Sequence, residues 1–183
     1  MAMTILAAIG DITRFPTSKK LVGYAGLGAG IHASGQLYRE GHITKEGRKE
    51  FRFGMVEAAW SAVATNAYWK AKFERLCQRM ERNKAIVAIA RQLLVVIWHV
   101  LTERAADRQA DPDMVAFKLM RWAWQVPAEQ RGGLTARQFV RYQLLRLGLG
   151  HDLTHVVRGG AKHLIAPPDE VLALKPELHS ATS

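Results

Sequence analysis

Within the stretch from Gly30 to Arg52, four side chains have the types and spacing to act on a phosphate ester. Ser34 lies between two small residues, Ala33 and Gly35, in a glycine-rich segment that reads as a loop. Lys45, Arg48 and Arg52 follow at intervals of three and four residues, so a helix would present them on one face. A hydroxyl beside a row of fixed cations is what attack on a phosphodiester needs. The phosphate oxygens gain negative charge in the transition state, and pre-placed Lys and Arg side chains stabilise it. The candidate set is therefore Ser34 as nucleophile, with Lys45, Arg48, Arg52 and Gly35 as nucleic-acid contacts. His32, two residues from Ser34, would share its face in a strand, but that spacing does not by itself bring the two into contact as base and nucleophile. Most loop serines are ordinary surface residues and most charge rows are solvated helix faces, so this pattern alone identifies no enzyme.

The surrounding sequence reads as mainly α. Met1 to Ile9 is a helix closed by Gly10, and a turn over Phe15–Ser18 leads into a second, short helix capped by Thr17 or Ser18. Glycines at 26, 28 and 30 serve either as a surface for a substrate backbone or as a flexible linker. Apolar residues at alternate positions from Ile31 to Ile43 allow a short hairpin turning at Ser34-Gly35. Thr44 is expected to open a long helix with Phe51, Met55, Ala58, Ala59 and Ala62 on its core face and Lys45, Arg48 and Arg52 on another. A helix from Ala67 to Asn83 follows, with a stripe of Trp69, Phe73, Leu76 and Met80 and a basic side of Lys70, Lys72, Arg75, Arg79 and Arg82. The basic side either tracks a nucleic-acid backbone or is merely solvated. A third helix, Lys84 to Arg104, is apolar nearly all round and should be central. Arg91 interrupts it, either snorkelling to the surface or reaching an anionic partner. Thr44 to Arg104 is thus a small helical bundle behind the serine loop.

A polar linker at 106–112 separates this part from a helical extension at 113–165. Its helices are expected over Asp113–Gln125 and from Thr135 to about Leu147, the latter turning Phe139, Tyr142, Leu145 and Leu147 inward. Arg137, Arg141 and Arg146 extend the basic character. His151, Asp152 and His155 are too few, in a glycine-flanked loop, to specify a metal site. Residues 166–183, opening on Pro167-Pro168, read as a frayed tail.

Lys and Arg outnumber Asp and Glu by 26 to 16 in 183 residues, a formal charge of +10, which suits a polyanionic partner. Cations spread along the chain argue against a membrane surface. The apolar run Ala85–Leu101 carries Arg91, Gln92 and His99 and falls short of the ~20 residues a spanning helix needs, so it reads as a buried helix. Met1 to Ile9 lacks the basic flank and long apolar stretch of a signal peptide. Cys77 is the one cysteine, which fits a reducing cytoplasm.

The order Ile9-Gly10-Asp11, Arg14-Phe15, Leu21, Tyr24-Ala25-Gly26-Leu27, Ser34-Gly35, Gly41, Ile43, Lys45, Gly47 and Arg52 resembles the C-terminal transposase domain of the insertion-sequence one-ten family, the serine-using, RNA-guided recombinases of bacterial mobile elements. The resemblance covers residues 1–105. It implies that the first helix is the second half of a helix-hairpin-helix whose glycine hairpin lies upstream. It also implies that the family's acidic, magnesium-binding N-terminal domain is missing, making this chain an N-terminally truncated piece with no cofactor of its own. Its partners would be DNA and a guide RNA, its site Ser34 forming a phosphoserine link, and its full-length form a homo-oligomer in the bacterial cytoplasm. Alone it would not recombine DNA. Two other readings stay open: a catalytically silent nucleic-acid-binding remnant, and a basic helical adaptor.

Overall fold

A computed structural model describes residues 2–34, 37–158 and 160–175. The chain divides into two compact units, Met1–Ala105 and Ala106–Ser183. Both are mainly α, and each carries one two-stranded antiparallel sheet among the described residues.

In the first unit, α1 (Ala2–Ile9) leads through a 3-10 turn (Ile12–Arg14) to α2 (Ser18–Tyr24). Strands β1 (Ala29–Ser34) and β2 (Leu37–Ile43) form the hairpin the alternation allows, and α3 (Lys49–Thr65), α4 (Ala67–Cys77) and α5 (Arg82–Glu103) complete the bundle. Asp11 accepts from the Thr13 amide and Thr17 from the Lys20 amide, which fixes the starts of the 3-10 turn and of α2. Asn66 ends α3 in extended backbone, and its side chain accepts from the Tyr68 and Trp69 amides to begin α4. Phe51, Met55 and Ala59 of α3, Trp69 and Phe73 of α4, and Ala85, Ile86, Ile89, Ala90 and Leu94 of α5 share one core with Ile5, Ile9, Leu21 and Leu27. Trp98 ties α5 to the turn before α2, its indole N–H donating to the Phe15 carbonyl at 2.8 Å.

Three expectations for this unit need correction. α3 starts at Lys49, not Thr44; the amides of Thr44 and Lys45 donate to the carbonyls of Gly28 and Gly26, at 3.0 and 3.3 Å, which holds this segment against the hairpin base. Lys45 consequently sits at φ 56°, outside helical geometry. The expected helix to Asn83 stops at Cys77, and Met80 lies exposed beyond it. α5 has 22 residues, long and apolar enough by length and composition to cross a membrane, and only 28% of its most apolar 18-residue window is buried. Its remaining apolar side chains, such as Leu93, Val96 and Trp98, pack against the edge of the core. Lys84, Arg91, His99 and Thr102 are exposed and, at 100° per residue, fall on one outward stripe. Arg91 therefore reaches the surface.

In the second unit, Asp111 caps α6 (Pro112–Ala123), with proline at its first position. Thr135 and Gln138 form a reciprocal capping box at the start of α7 (Ala136–Arg146). Strands β3 (His155–Arg158) and β4 (Ala161–Leu164) pair, and α8 (Pro168–Leu174) follows. Ala116, Met120 and Ala123 of α6 pack on Phe139, Val140 and Leu144 of α7, with Val156 and Ile165. The inner side of α7 is thus shifted from the one expected, and Tyr142, Leu145 and Leu147 are only half-buried. The stretch read as a frayed tail holds α8, whose Val171 is fully buried; the last expected tail residues, 176–183, lie outside the described residues.

Candidate nucleic-acid interface

Backbone register places the candidate nucleophile. Ala29 stands opposite Ile43 at the base of the hairpin, a register shift follows between Ala29 and Ile31, and Ser34 stands opposite Leu37 at the tip. Gly35 lies outside the described residues. The base is prolonged by the two bonds from the Thr44 and Lys45 amides to the Gly26–Gly28 loop. At the rise of a strand, the tip is roughly 16 Å from the base. Lys45 and Arg48 are exposed just beyond that base, and both precede α3. The single helical face expected to gather Lys45, Arg48 and Arg52 beside Ser34 does not form. The hairpin carries the serine out, and the cations stay where it is anchored.

Arg52 is engaged at the hairpin base. From the first turn of α3 its Nη1 donates to the carbonyls of Lys45 and Gly47, at 3.2 and 3.3 Å. It thereby closes the 45–47 segment against the helix. Gly47 passes so close to the Tyr24–Gly26 backbone that a Cβ there would overlap the Tyr24 carbonyl oxygen. Gly26, at φ 67°, would place a Cβ 2.7 Å from the Gly47 nitrogen. Two glycines are required here because two main chains touch. Tyr24 stacks obliquely on Phe15 and Phe51, with centroids at 5.2 and 6.1 Å, and the Arg14 guanidinium lies over Phe15 and Tyr24. Arg14, Phe15, Tyr24, Gly26, Gly47 and Arg52 are therefore the frame of the hairpin base. The signal for Arg52 that spacing missed is its position seven and five residues after two loop carbonyls that lack strand or helix partners.

His151 and Asp152 are exposed, and His155 Nδ1 is 3.0 Å from the Thr154 hydroxyl. Among the described residues, no three of His, Cys, Asp and Glu gather as a ligand set. Arg141, expected on a basic surface, is 2% exposed. Its guanidinium donates to the carbonyls of Ala166 (2.7 Å), Gly150 (2.8 Å), His151 (3.3 Å) and Leu153. Burial pushes its pKa below the usual arginine value. The excess charge accordingly belongs to the first unit, with sixteen Lys and Arg against eight Asp and Glu; the second has ten against eight.

Residues 1–74, which hold the hairpin, its base and all of α3, match the family described as Transposase IS116/IS110/IS902 family. Over these residues the chain is similar to that family. It is similar to the putative transposase y4qE of Sinorhizobium fredii, 28% identical over 130 residues, 71% of this chain and 33% of the relative. A pilin gene-inverting protein of Moraxella bovis is 31% identical over 105 residues, 54% of this chain and 32% of the relative. The insertion element IS110 uncharacterized 43.6 kDa protein of Streptomyces coelicolor is 26% identical over 103 residues, 56% of this chain and 25% of the relative. The chain thus spans a third or less of the length of these curated relatives.

Proposed function

We propose that this chain is the DNA-holding, serine-bearing part of an insertion-sequence transposase, acting in the bacterial cytoplasm. The observation that carries this reading is the hairpin: a serine at its tip, on a base whose geometry is held by family-matched residues and flanked by exposed Lys45 and Arg48. Ser34 Oγ attacks a backbone phosphorus, the bond to the leaving sugar oxygen breaks, and a phosphoserine link retains the energy for resealing. Lys45 and Arg48 hold phosphates away from the scissile one, since the arm separates them from the tip. Arg52 keeps the base in shape.

The serine proton needs an acceptor, and the acidic magnesium-binding domain that the family resemblance implies is its proposed source. The described residues of this chain offer no donor set for that metal. The chain alone therefore binds DNA, and the guide RNA of the full protein, without recombining it. The full protein acts as a homo-oligomer. Incubated with element-end DNA and magnesium, the chain should give no joined product, and Ser34→Ala should leave DNA affinity within about twofold. Joining by this chain alone would refute the division of labour.

The separation of tip and base favours a second reading, in which the chain holds nucleic acid and no cleavage ever involves it. Adding an acidic domain of the kind the resemblance implies separates the two. Restored joining that Ser34→Ala abolishes supports the nucleophile, and joining insensitive to Ser34→Ala supports the silent holder.

A further inference from the structure

α4 carries a second cationic feature, away from the hairpin. Tyr68, Lys72, Arg75 and Arg79 recur at intervals of four, three and four along the helix and the turn after it. At 3.6 residues per turn Tyr68, Lys72 and Arg75 lie within about 60° of one another along roughly 10 Å of α4, and Arg79 follows in the turn beyond its end. Trp69 and Phe73 take the core side of the helix, which leaves this stripe on its flank. Tyr68 is 42% exposed, and Arg75 and Arg79 are exposed. Lys72 Nζ donates to the Tyr68 hydroxyl at 3.1 Å and lies 5.2 Å from its ring centroid, so ring and ammonium are already arranged side by side.

Among the described residues, no acid forms an ion pair with these cations. The acid of α4, Glu74, projects about 100° away from Arg75. The two ion pairs among the described residues, Lys84–Glu81 and His99–Glu103, leave the stripe untouched. At the far end, Arg82 adds another cation over Trp60 and Phe73, 5.1 and 5.5 Å from their centroids. A row of unneutralised cations with an exposed ring among them suits a phosphate backbone. The cations take phosphates, and the ring packs on a sugar or base.

The geometry points to the Tyr68–Lys72–Arg75–Arg79 stripe as a docking surface for a DNA backbone, separate from the hairpin base. This rests on the proposed DNA-holding function and assigns it a further surface. Each phosphate neutralised contributes about 0.9 to the slope of log affinity against log salt on duplex DNA.

The test measures affinity of the whole chain for a labelled duplex and for a single-stranded RNA across a salt series. The variants are Lys72→Gln/Arg75→Gln/Arg79→Gln, the milder Arg75→Gln/Arg79→Gln, and a control of equal charge in the second unit, Arg108→Gln/Lys118→Gln/Arg121→Gln. The triple variant should weaken duplex binding at least tenfold at low salt and flatten the slope by about 2 to 3; the double should flatten it by about 2 and the control by less than one. A loss confined to the single-stranded RNA overturns the assignment to a DNA backbone. An unchanged slope in both stripe variants, or a control as damaging as the triple, overturns the stripe while leaving the hairpin function standing. A wild-type chain that binds neither nucleic acid overturns both.

Discussion

Arg52 in the first unit and Arg141 in the second do the same kind of work at different depths. Each begins on a helix and donates to carbonyls of a loop that lacks regular partners. Arg52 is half-buried and makes two long bonds to a loop that precedes it. Arg141 is buried and satisfies four carbonyls of the chain that folds back after α7. Both look like surface cations in the sequence. What decides a cation's role is how many orphaned carbonyls the fold brings to it, and that is a property of tertiary structure. Among the described residues Lys45, Arg48, Arg75 and Arg79 meet no such carbonyls, and they remain for a polyanion.

Substitutions can break this comparison. The largest effect is expected at Arg141→Ala, which strands buried carbonyls and should destabilise the second unit by about 3–5 kcal/mol, read by denaturant unfolding through Trp122 and Trp124 fluorescence. Arg141→Lys should recover little, since an ammonium cannot span the same carbonyls as the planar fork. A loss below about 1 kcal/mol would remove Arg141 from the comparison. Next, Gly47→Ala forces apart two touching main chains and should destabilise the first unit by about 1–3 kcal/mol, with DNA affinity falling alongside. Arg52→Ala should cost about 1–2 kcal/mol, less than its counterpart because fewer and longer bonds are lost from a wetter site. If Arg52→Ala proved the more damaging, depth would not be the governing variable.

The smallest effect concerns acid. Asp11 accepts from the Thr13 amide, first as a backbone hydrogen bond, and this holds its carboxyl below the usual value. A depressed carboxylate pKa stabilises the fold fully above the unfolded-state value near 3.9, and the contribution disappears as pH falls through the lower folded value. Asp11→Asn keeps an acceptor without a titrating charge. Unfolding midpoints of wild type and variant measured down through the acid range should therefore converge as Asp11 protonates. A gap that stays constant with pH would contradict this assignment.

Much of the fold was legible because its signals are local. Alternation between Ile31 and Ile43 marked the hairpin, Thr17 and Thr135 marked helix starts, and the periodic residues Phe51, Met55 and Ala59 marked the core face of α3. The false start at Thr44 came from a capping residue whose own amide pairs with a carbonyl sixteen residues earlier, which no local pattern reveals. α8 was missed although Pro168 at its first position, with Asp169 and Glu170 in the first turn, is a helix-start signal. Arg141 could have been doubted from its neighbours, because it lies only about 60° round the helix from the apolar Leu144. For the site, the residue types were legible and their distances were not. Spacing in sequence put the serine beside its cations, and strand pairing set them at opposite ends of an arm.

The central claim is that the exposed cations of the first unit hold a phosphate backbone. It is tested most directly by the affinity of the unmodified chain for duplex DNA across a salt series, because each phosphate held releases bound counterions. The account predicts measurable binding at low salt and a steep fall, with a slope of several units in log affinity against log salt. Affinity that is absent at low salt, or indifferent to salt, would contradict it.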